Sequence, residues 1–483
     1  MKNILYKIGL FILGVIMVLS PFGVFVLYGN NQPHIYSKTY YAALVDKVNY
    51  LESVKNEKKI ILVGGSNVAF GFNSELLENE FPEYKVVNFG LYAMLGTKIM
   101  MDLALDYIND GDLVFVIPEI NSQSTSLYFN AESTLKALED DMNIIKKLPK
   151  DNRDAVIGSY FDFVKERKKI KEVIIPKGVY QRDNFNQYGD VFYEEVDENE
   201  IAYRSANRMA LYYDPTMLVD YSYNIENDFL TYLNEYDEKI TKKKATLYYA
   251  FSPANEKAAI NKETAINYYW SIRQNVSCKV VGNPNQYMID AHYFYDSNFH
   301  LNNAGAILRT YLFAQDIYRD VFQKNTKPNI VIPEMPPYID ESDVGPDSET
   351  AICFDYIEYE DSLLISKIKD EYINVENIIL PAVANGKKVV GIARNAFSKS
   401  NVINDISIPM SIKIIMDGAF GNCPSLTRIY IETYNPSDII VSYTGSMTEG
   451  VAEGFIIYIH DEALTDFATD YYWGAYSSYF RRY

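Results

Sequence analysis

Ser66 stands in Gly64-Gly65-Ser66-Asn67, directly after the apolar run Ile60-Ile61-Leu62-Val63 and ahead of a helical period. A serine on such a strand-to-helix turn has its hydroxyl held at the carboxyl end of a sheet, where α/β folds place their ligands. Its position makes Ser66 a candidate nucleophile. The plain alternative is a glycine turn that only tightens the connection or cradles a phosphate, although GGSNVAFG has neither the GxGxxG order nor a GK[ST] ending. A serine hydroxyl is a weak nucleophile until a base takes its proton. The chain has 4 histidines, at His34, His292, His300 and His460. His300 is the candidate base. It lies in Tyr295-Asp296-Ser297-Asn298-Phe299-His300-Leu301-Asn302-Asn303-Ala304-Gly305, just ahead of a helical stretch with Ile307, Leu308, Tyr311, Leu312, Ile317 and Tyr318 on one side. Asp296, four residues earlier, is the candidate acid to orient the ring. His292 shows no such polar setting, and His460 reads as a surface or packing residue. A bare histidine before a helix is more often structural; Ser66 upstream changes that weighing.

The elements that would position these groups follow from pattern. Lys59-IILVGG, Lys85-VVNFG, Asp112-LVFVIP, Thr246-LYYAF and Cys278-KVVG are short apolar runs, and helical periods such as Thr97 to Ile108 lie between them. Such alternation predicts a parallel sheet covered on both faces. The α/β domain is read over 58–323. A polar, tyrosine-rich insertion between its third and fourth strands, about Ile175 to Tyr213, reads equally as a cap over a site or as a solvated excursion.

Of 483 residues, 64 are acidic and 45 basic, a formal charge of −19 that gives no footprint for nucleic acid. The uncharged stretch 8–28, IGLFILGVIMVLSPFGVFVLY, follows Lys2 and Lys7 and is long enough to cross a bilayer once. It is read as an uncleaved signal anchor, with 1–7 as a cytoplasmic tail, 29–57 as a membrane-proximal helical segment and the bulk of the chain extracytoplasmic. The cysteines Cys278, Cys353 and Cys423 have no metal-ligand spacing. One disulfide among them stays open, and buried free thiols are the simpler reading.

Residues 324–348, rich in proline and acids, read as a linker. Beyond it, 349–483, the chain repeats itself. Ile392, Ala396, Phe397, Ile406 and Ile408 recur 23 residues later as Ile415, Ala419, Phe420, Ile429 and Ile431. A fixed period of that size predicts stacked units that bury their apolar positions against one another.

Two resemblances follow. The repeat pattern resembles the leucine-rich repeats of the BspA type over about Val389 to Tyr476. Gly-x-Ser after the first strand, Gly90 after the second and Asp…His-Leu-Asn-x-x-Gly at the end resemble the SGNH (GDSL-like) hydrolase superfamily over roughly Lys58 to Gln323. That second resemblance implies a flavodoxin-like three-layer α/β domain. It also implies Ser66 as nucleophile, His300 as base, Asp296 as its acid, and an oxyanion hole from the Ser66 and Gly90 amides. Two departures stand out: the acid-to-base spacing is Asp-x-x-x-His, which puts Ser297 where the acid is expected, and Ile117-Pro118-Glu119-Ile120-Asn121 replaces Gly-x-Asn-Asp. Asn121 then supplies the side-chain oxyanion donor, or Glu119 takes a different role. The implied activity is membrane-anchored hydrolysis or transfer of acyl groups on a cell-surface carbohydrate polymer, with no metal or organic cofactor and with a membrane-bound O-acyltransferase as partner. The alternative is a surface protein whose repeats bind or adhere and whose SGNH-like domain is inactive.

Overall fold

The computed structural model describes residue 29 and residues 32–170, 172–176, 179–191, 218–295, 297–335, 347–359, 361–398, 400–441, 446–470 and 472–483. The 8–28 stretch and Asp296 lie outside the described residues, as do 192–217 of the insertion and 336–346 of the linker. Among the described residues no helix is long and apolar enough to cross a membrane.

Five strands form the first sheet: β1 (Lys59–Gly64), β2 (Lys85–Gly90), β3 (Leu113–Ile117), β4 (Thr246–Ala250) and β5 (Lys279–Val281). All pair in parallel in the order β2-β1-β3-β4-β5, a doubly wound arrangement. Successive side chains on a strand point to opposite faces, so each strand feeds two cores. Ile61, Val63, Val87, Phe89, Val114 and Val116 enter one, packed by the helices Ala43–Ser53, Thr97–Ala104 and Asn227–Lys242. Ile60, Leu62, Val86, Phe115 and Ile117 enter the other, against Leu77 of the helix Ser74–Glu80 and against Phe313 and Ala314 of the helix Asn303–Asp316. Parallel strands covered on both faces read as unbroken apolar runs, which is why the sequence marks them clearly.

The segment read as a membrane-proximal helix is part of this core. Leu44 and Leu51 of Ala43–Ser53 are fully buried in it. Lys47, on the same helix, reaches the carbonyls of Asn88, at 3.0 Å, and Gly189, and lies over the Phe185 ring. Burial pushes its ammonium pKa down. A buried lysine needs polar company, which the two carbonyls and the charges of Asp190 and Asp46 supply.

The C-terminal region is a solenoid with two sheets. One contains Phe354–Glu358, Ser362–Ile368, Lys387–Ile392, Ile414–Ile415 and Ile440–Val441; the other contains Asn377–Ile379, Asp405–Ile408, Arg428–Ile431, Ile456–Ile459 and Phe480–Arg482. The 23-residue period is literal register: Ile392 pairs with Ile415, Ile406 with Ile429 and Ile408 with Ile431. Between the sheets Phe397 meets Phe420 at a ring separation of 5.3 Å. The three cysteines are free and buried, and burial raises the Cys278 and Cys423 thiols to about 12.

Since Phe397 and Phe420 are wholly buried, Phe397→Ala is expected to destabilise the repeats by about 3 to 5 kcal/mol. Chemical denaturation followed by fluorescence of the buried Trp473 measures this, and a loss below about 1 kcal/mol would mean that the rungs do not share one core.

Candidate active site

The site begins at the end of β1. At Gly64 a Cβ would stand 2.4 Å from Val68 Cγ2 and 2.6 Å from the Ile117 carbonyl oxygen; at Gly90 one would stand 2.4 Å from Val68 Cβ. Only glycine lets the chain turn this tightly between its neighbours. Ser66 then opens the short helix Ser66–Ala69. Asn67, fully buried, fixes the turn from inside: its Oδ1 accepts from the Gly65 N–H at 3.1 Å, and its Nδ2 donates to the Ile117 carbonyl at 2.9 Å and to Ser252 Oγ at 3.0 Å. One amide thus ties the ends of β1, β3 and β4 together.

His300 comes from the far end of the domain. Its loop is closed by Tyr295 N–H to the His300 carbonyl at 2.8 Å and by Asn302 N–H to the Tyr293 carbonyl at 2.9 Å. Asn302 also caps the helix Asn303–Asp316 through the Gly305 N–H. The loop delivers His300 Nε2 to 2.7 Å from Ser66 Oγ. Phe70, one turn beyond the serine, stacks on the imidazole at 4.2 Å and 7°. Ser66 and His300 are buried, at 8% and 7% exposure, so water screens their hydrogen bond little.

The other expected site residues divide. Asp296 lies outside the described residues. Ser297 caps the turn instead of facing the ring: its Oγ accepts from the Phe299 N–H at 3.1 Å. The Gly90 N–H donates to Asn88 Oδ1 at 3.1 Å, because the Asn88 side chain curls back along the strand, so this amide has a partner other than an oxyanion. Asn121 Nδ2 donates to Glu119 Oε2 at 3.1 Å, and its Oδ1 accepts from the Ser124 N–H. His292, read as lacking polar company, has it: Asp290 Oδ1 lies 2.6 Å from its Nδ1 and 2.8 Å from its N–H. Those contacts belong to the turn Ala291–Tyr293. His34 meets Asp140 at 2.7 Å, and His460 stacks on Tyr434 at 4.0 Å.

Glu119, given from the sequence only an unassigned role, and Tyr180, not named there, enter here. Glu119, 2% exposed, has Oε1 at 3.3 Å from Ser66 Oγ and 3.4 Å from the Asn67 N–H. Burial raises its carboxyl pKa, against the pull of His300 and of the bonds from Asn121, Asn67 and Ser66. Burial thus works against its charged form, while one carboxyl oxygen accepts from the Ser66 hydroxyl and the Asn67 N–H and the other from Asn121. The Pro-Glu pair in the third strand's turn was its only signal. Tyr180, from the insertion, has its Oη 3.3 Å from His300 Nδ1. The insertion is anchored by Asp190, which accepts from Ser74 and from Asn88 Nδ2, and by the Val191 N–H on the Ala69 carbonyl.

The arrangement is a hydroxyl with a base on one side, a buried carboxyl on the other and an aromatic wall behind the base. It is equipped to remove the proton of Ser66.

Comparison with known proteins bears on the C-terminal repeats. Residues 369–444 are a BspA type leucine rich repeat region, matched in six copies. No curated protein matches this chain. Among solved structures it is similar to a leucine rich cell surface protein from Faecalibacterium prausnitzii A2-165, at 23% identity over 22% of this chain and 31% of that one, with a TM-score of 0.18. It is also similar to a leucine-rich repeat protein from Bacteroides ovatus ATCC 8483, at 19% identity over 23% and 36%, with a TM-score of 0.14. The chain spans about a third of the length of these structures.

The buried carboxyl gives a test with a defined sign. A glutamate whose folded pKa is raised binds its proton more tightly folded than unfolded, so its contribution to stability is lost as pH climbs from the ordinary glutamate range to the raised value. Glu119→Gln removes that loss. The stability of the variant relative to wild type, by urea denaturation, should therefore shift in its favour as pH climbs above the ordinary glutamate range of about 4. A difference independent of pH would show that burial does not raise this carboxyl's pKa.

Proposed function

We propose that this chain joins two devices: a leucine-rich repeat array that binds or adheres at a cell surface, and an SGNH-type centre in which Ser66 and His300 work on an acyl ester. The binding role has the broader support, since the family match lies wholly in the repeats. The catalytic role rests on one observation, the 2.7 Å contact between Ser66 Oγ and His300 Nε2, both buried.

In the catalytic reading, Ser66 Oγ attacks the ester carbonyl as its proton passes to His300 Nε2. The Ser66 amide at the start of its helix would donate to the oxygen on which charge develops. Collapse of the tetrahedral intermediate breaks the bond to the alcohol, which leaves with the proton from His300. Water, or a carbohydrate hydroxyl, then gives a proton to His300 and takes the acyl group from Ser66, whose Oγ recovers that proton from His300 as it leaves. The first acceptor makes the protein a hydrolase and the second an O-acyltransferase, for which a membrane-bound O-acyltransferase is the fitting partner. The 8–28 stretch would hold the rest of the chain outside the membrane.

The non-catalytic reading is favoured by a specific observation as well. The Gly90 N–H and the Asn121 amide, the expected oxyanion donors, are bonded to Asn88 and Glu119. A domain so arranged serves the repeats as a scaffold.

Hydrolysis of a short acyl ester separates the two. Ser66→Ala and His300→Gln are each expected to lower kcat by roughly 10³-fold or more. Hydrolysis unchanged by Ser66→Ala would remove the catalytic reading and leave the binding one.

A further inference from the structure

The chain that follows the 8–28 stretch is gripped at once by the α/β domain. Arg167, at the end of the helix Lys150–Arg167, donates from Nη1 to the Gly29 carbonyl at 3.3 Å and from Nη2 to the Gln32 and Pro33 carbonyls at 3.0 and 2.7 Å. A Cβ at Gly29 would stand 2.8 Å from Val164 Cγ2 of the same helix. A little further on, the Ile174 N–H donates to the Ile35 carbonyl at 2.8 Å. Both gripping elements also turn apolar side chains outward: Ile157 is 56% and Phe161 45% exposed on the helix, and Val173 is 40% and Ile175 59% exposed on either side of Ile174. Positions 157, 161, 164 and 168 share one face of a helix, so the outward pair lies beside the seat of Gly29. Basic residues gather at the same end. The sequence Lys165 to Lys171, KERKKIK, carries five of them against one acid in a chain of formal charge −19, and Lys168 and Lys169 are exposed.

We infer that Ile157, Phe161, Val173 and Ile175, rimmed by Lys168 and Lys169, form a face that lies in the headgroup layer of the membrane, with anionic phospholipid as its partner. This rests on the reading above in which 8–28 is the anchor. As a helix the 21 residues of 8–28 cover about 32 Å, close to the hydrocarbon thickness, so no length is left over as a tether. Gly29 then stands at headgroup level, and the side chains around its seat stand there with it. An anchor that ended in a loose loop would ask nothing of the domain's surface; one pinned by Arg167 does. Apolar side chains gain there by leaving water, and lysines by meeting lipid phosphate. The seating also fixes the rest of the chain. Further along the insertion, Tyr180 Oη lies 3.3 Å from Tyr472 Oη in the closing segment of the repeats. Ile440, on a repeat strand, packs against Ile289, Tyr293, Phe294 and Leu301, the apolar cluster beneath the His300 loop. The repeats are fastened to the domain that the lipid seats, so the array and Ser66 keep a set height above the bilayer.

The test uses the full chain in vesicles of phosphatidylcholine and phosphatidylglycerol. Ile157→Cys, Ile175→Cys and, as a control, Asn79→Cys each take a thiol-reactive fluorophore, since the three native cysteines are buried. Asn79 is exposed on the helix Ser74–Glu80, across the sheet from the core that Val156 and Phe163 of Lys150–Arg167 enter. An interfacial face sinks about 5 to 10 Å, so a nitroxide on the upper acyl chain should quench the labels at 157 and 175 by about half and spare the one at 79. Lys168→Glu with Lys169→Glu should cut that quenching about twofold in the anionic vesicles and leave it unchanged in phosphatidylcholine alone. Alkaline extraction reads the anchor separately. A chain that resists extraction while its labels at 157 and 175 behave like the one at 79 overturns the inference and keeps the anchor. A chain that is extracted, yet quenched at 157 and 175 beforehand, keeps the lipid face and sinks the anchored reading; one extracted and unquenched sinks both. Labels shielded in native membranes and not in pure lipid assign the face to a membrane-embedded protein, which overturns the inference as well.

Discussion

The side-chain amide of Asn67 is the pin on which the site turns. Fully buried, it joins the Gly65 N–H, the Ile117 carbonyl and the Ser252 hydroxyl, so the tips of three parallel strands are held at fixed spacing. A buried amide left with unmet hydrogen bonds is costly, and each of these partners restrains a different strand. Because the turn cannot relax, Ser66 faces the loop of His300 from one direction only. Phe70 then limits the ring from behind, and Glu119 closes the opposite side.

Much of this was legible in the residues. Five apolar runs, each bounded by glycine, proline or a charge, marked the parallel sheet, because strands covered on both faces cannot carry an alternating pattern. The 23-residue recurrence marked the solenoid because register in such a fold is repetition in sequence. Ser66 and His300 stood out because their local settings, a glycine turn and a polar loop before a helix, are short-range features. What stayed hidden was long-range. Tyr180 and Tyr472 lie 292 positions apart in the chain, and tyrosine is so common here, with 43 copies, that neither could be singled out. The inward turn of Lys47 was hidden for a related reason, since the carbonyls it reaches lie 41 and 142 positions along the chain.

Asn88 shows how one residue can serve fold and site in opposite ways. Its Nδ2 donates to the Val68 carbonyl and to Asp190, fastening the insertion that carries Tyr180, while its Oδ1 takes the Gly90 N–H. The insertion that brings a partner to His300 therefore depends on the same amide that occupies an expected oxyanion donor. Burial raises the Asp190 carboxyl as well, against the bonds from Ser74, Asn88 and Asn186, and a network so buried is screened weakly by salt.

Solenoids ordinarily tolerate gain and loss of rungs, because each unit contacts only its neighbours. This one is held against the α/β domain at two places, Ile440 and Tyr472. An added rung between them would carry the second place about 4.8 Å further along the stack, the spacing of adjacent strands, while the first stayed put. The array is then a ruler cut to length: its rung number is set by the distance between two contacts on another domain, and this end of it cannot drift in evolution as free repeats do.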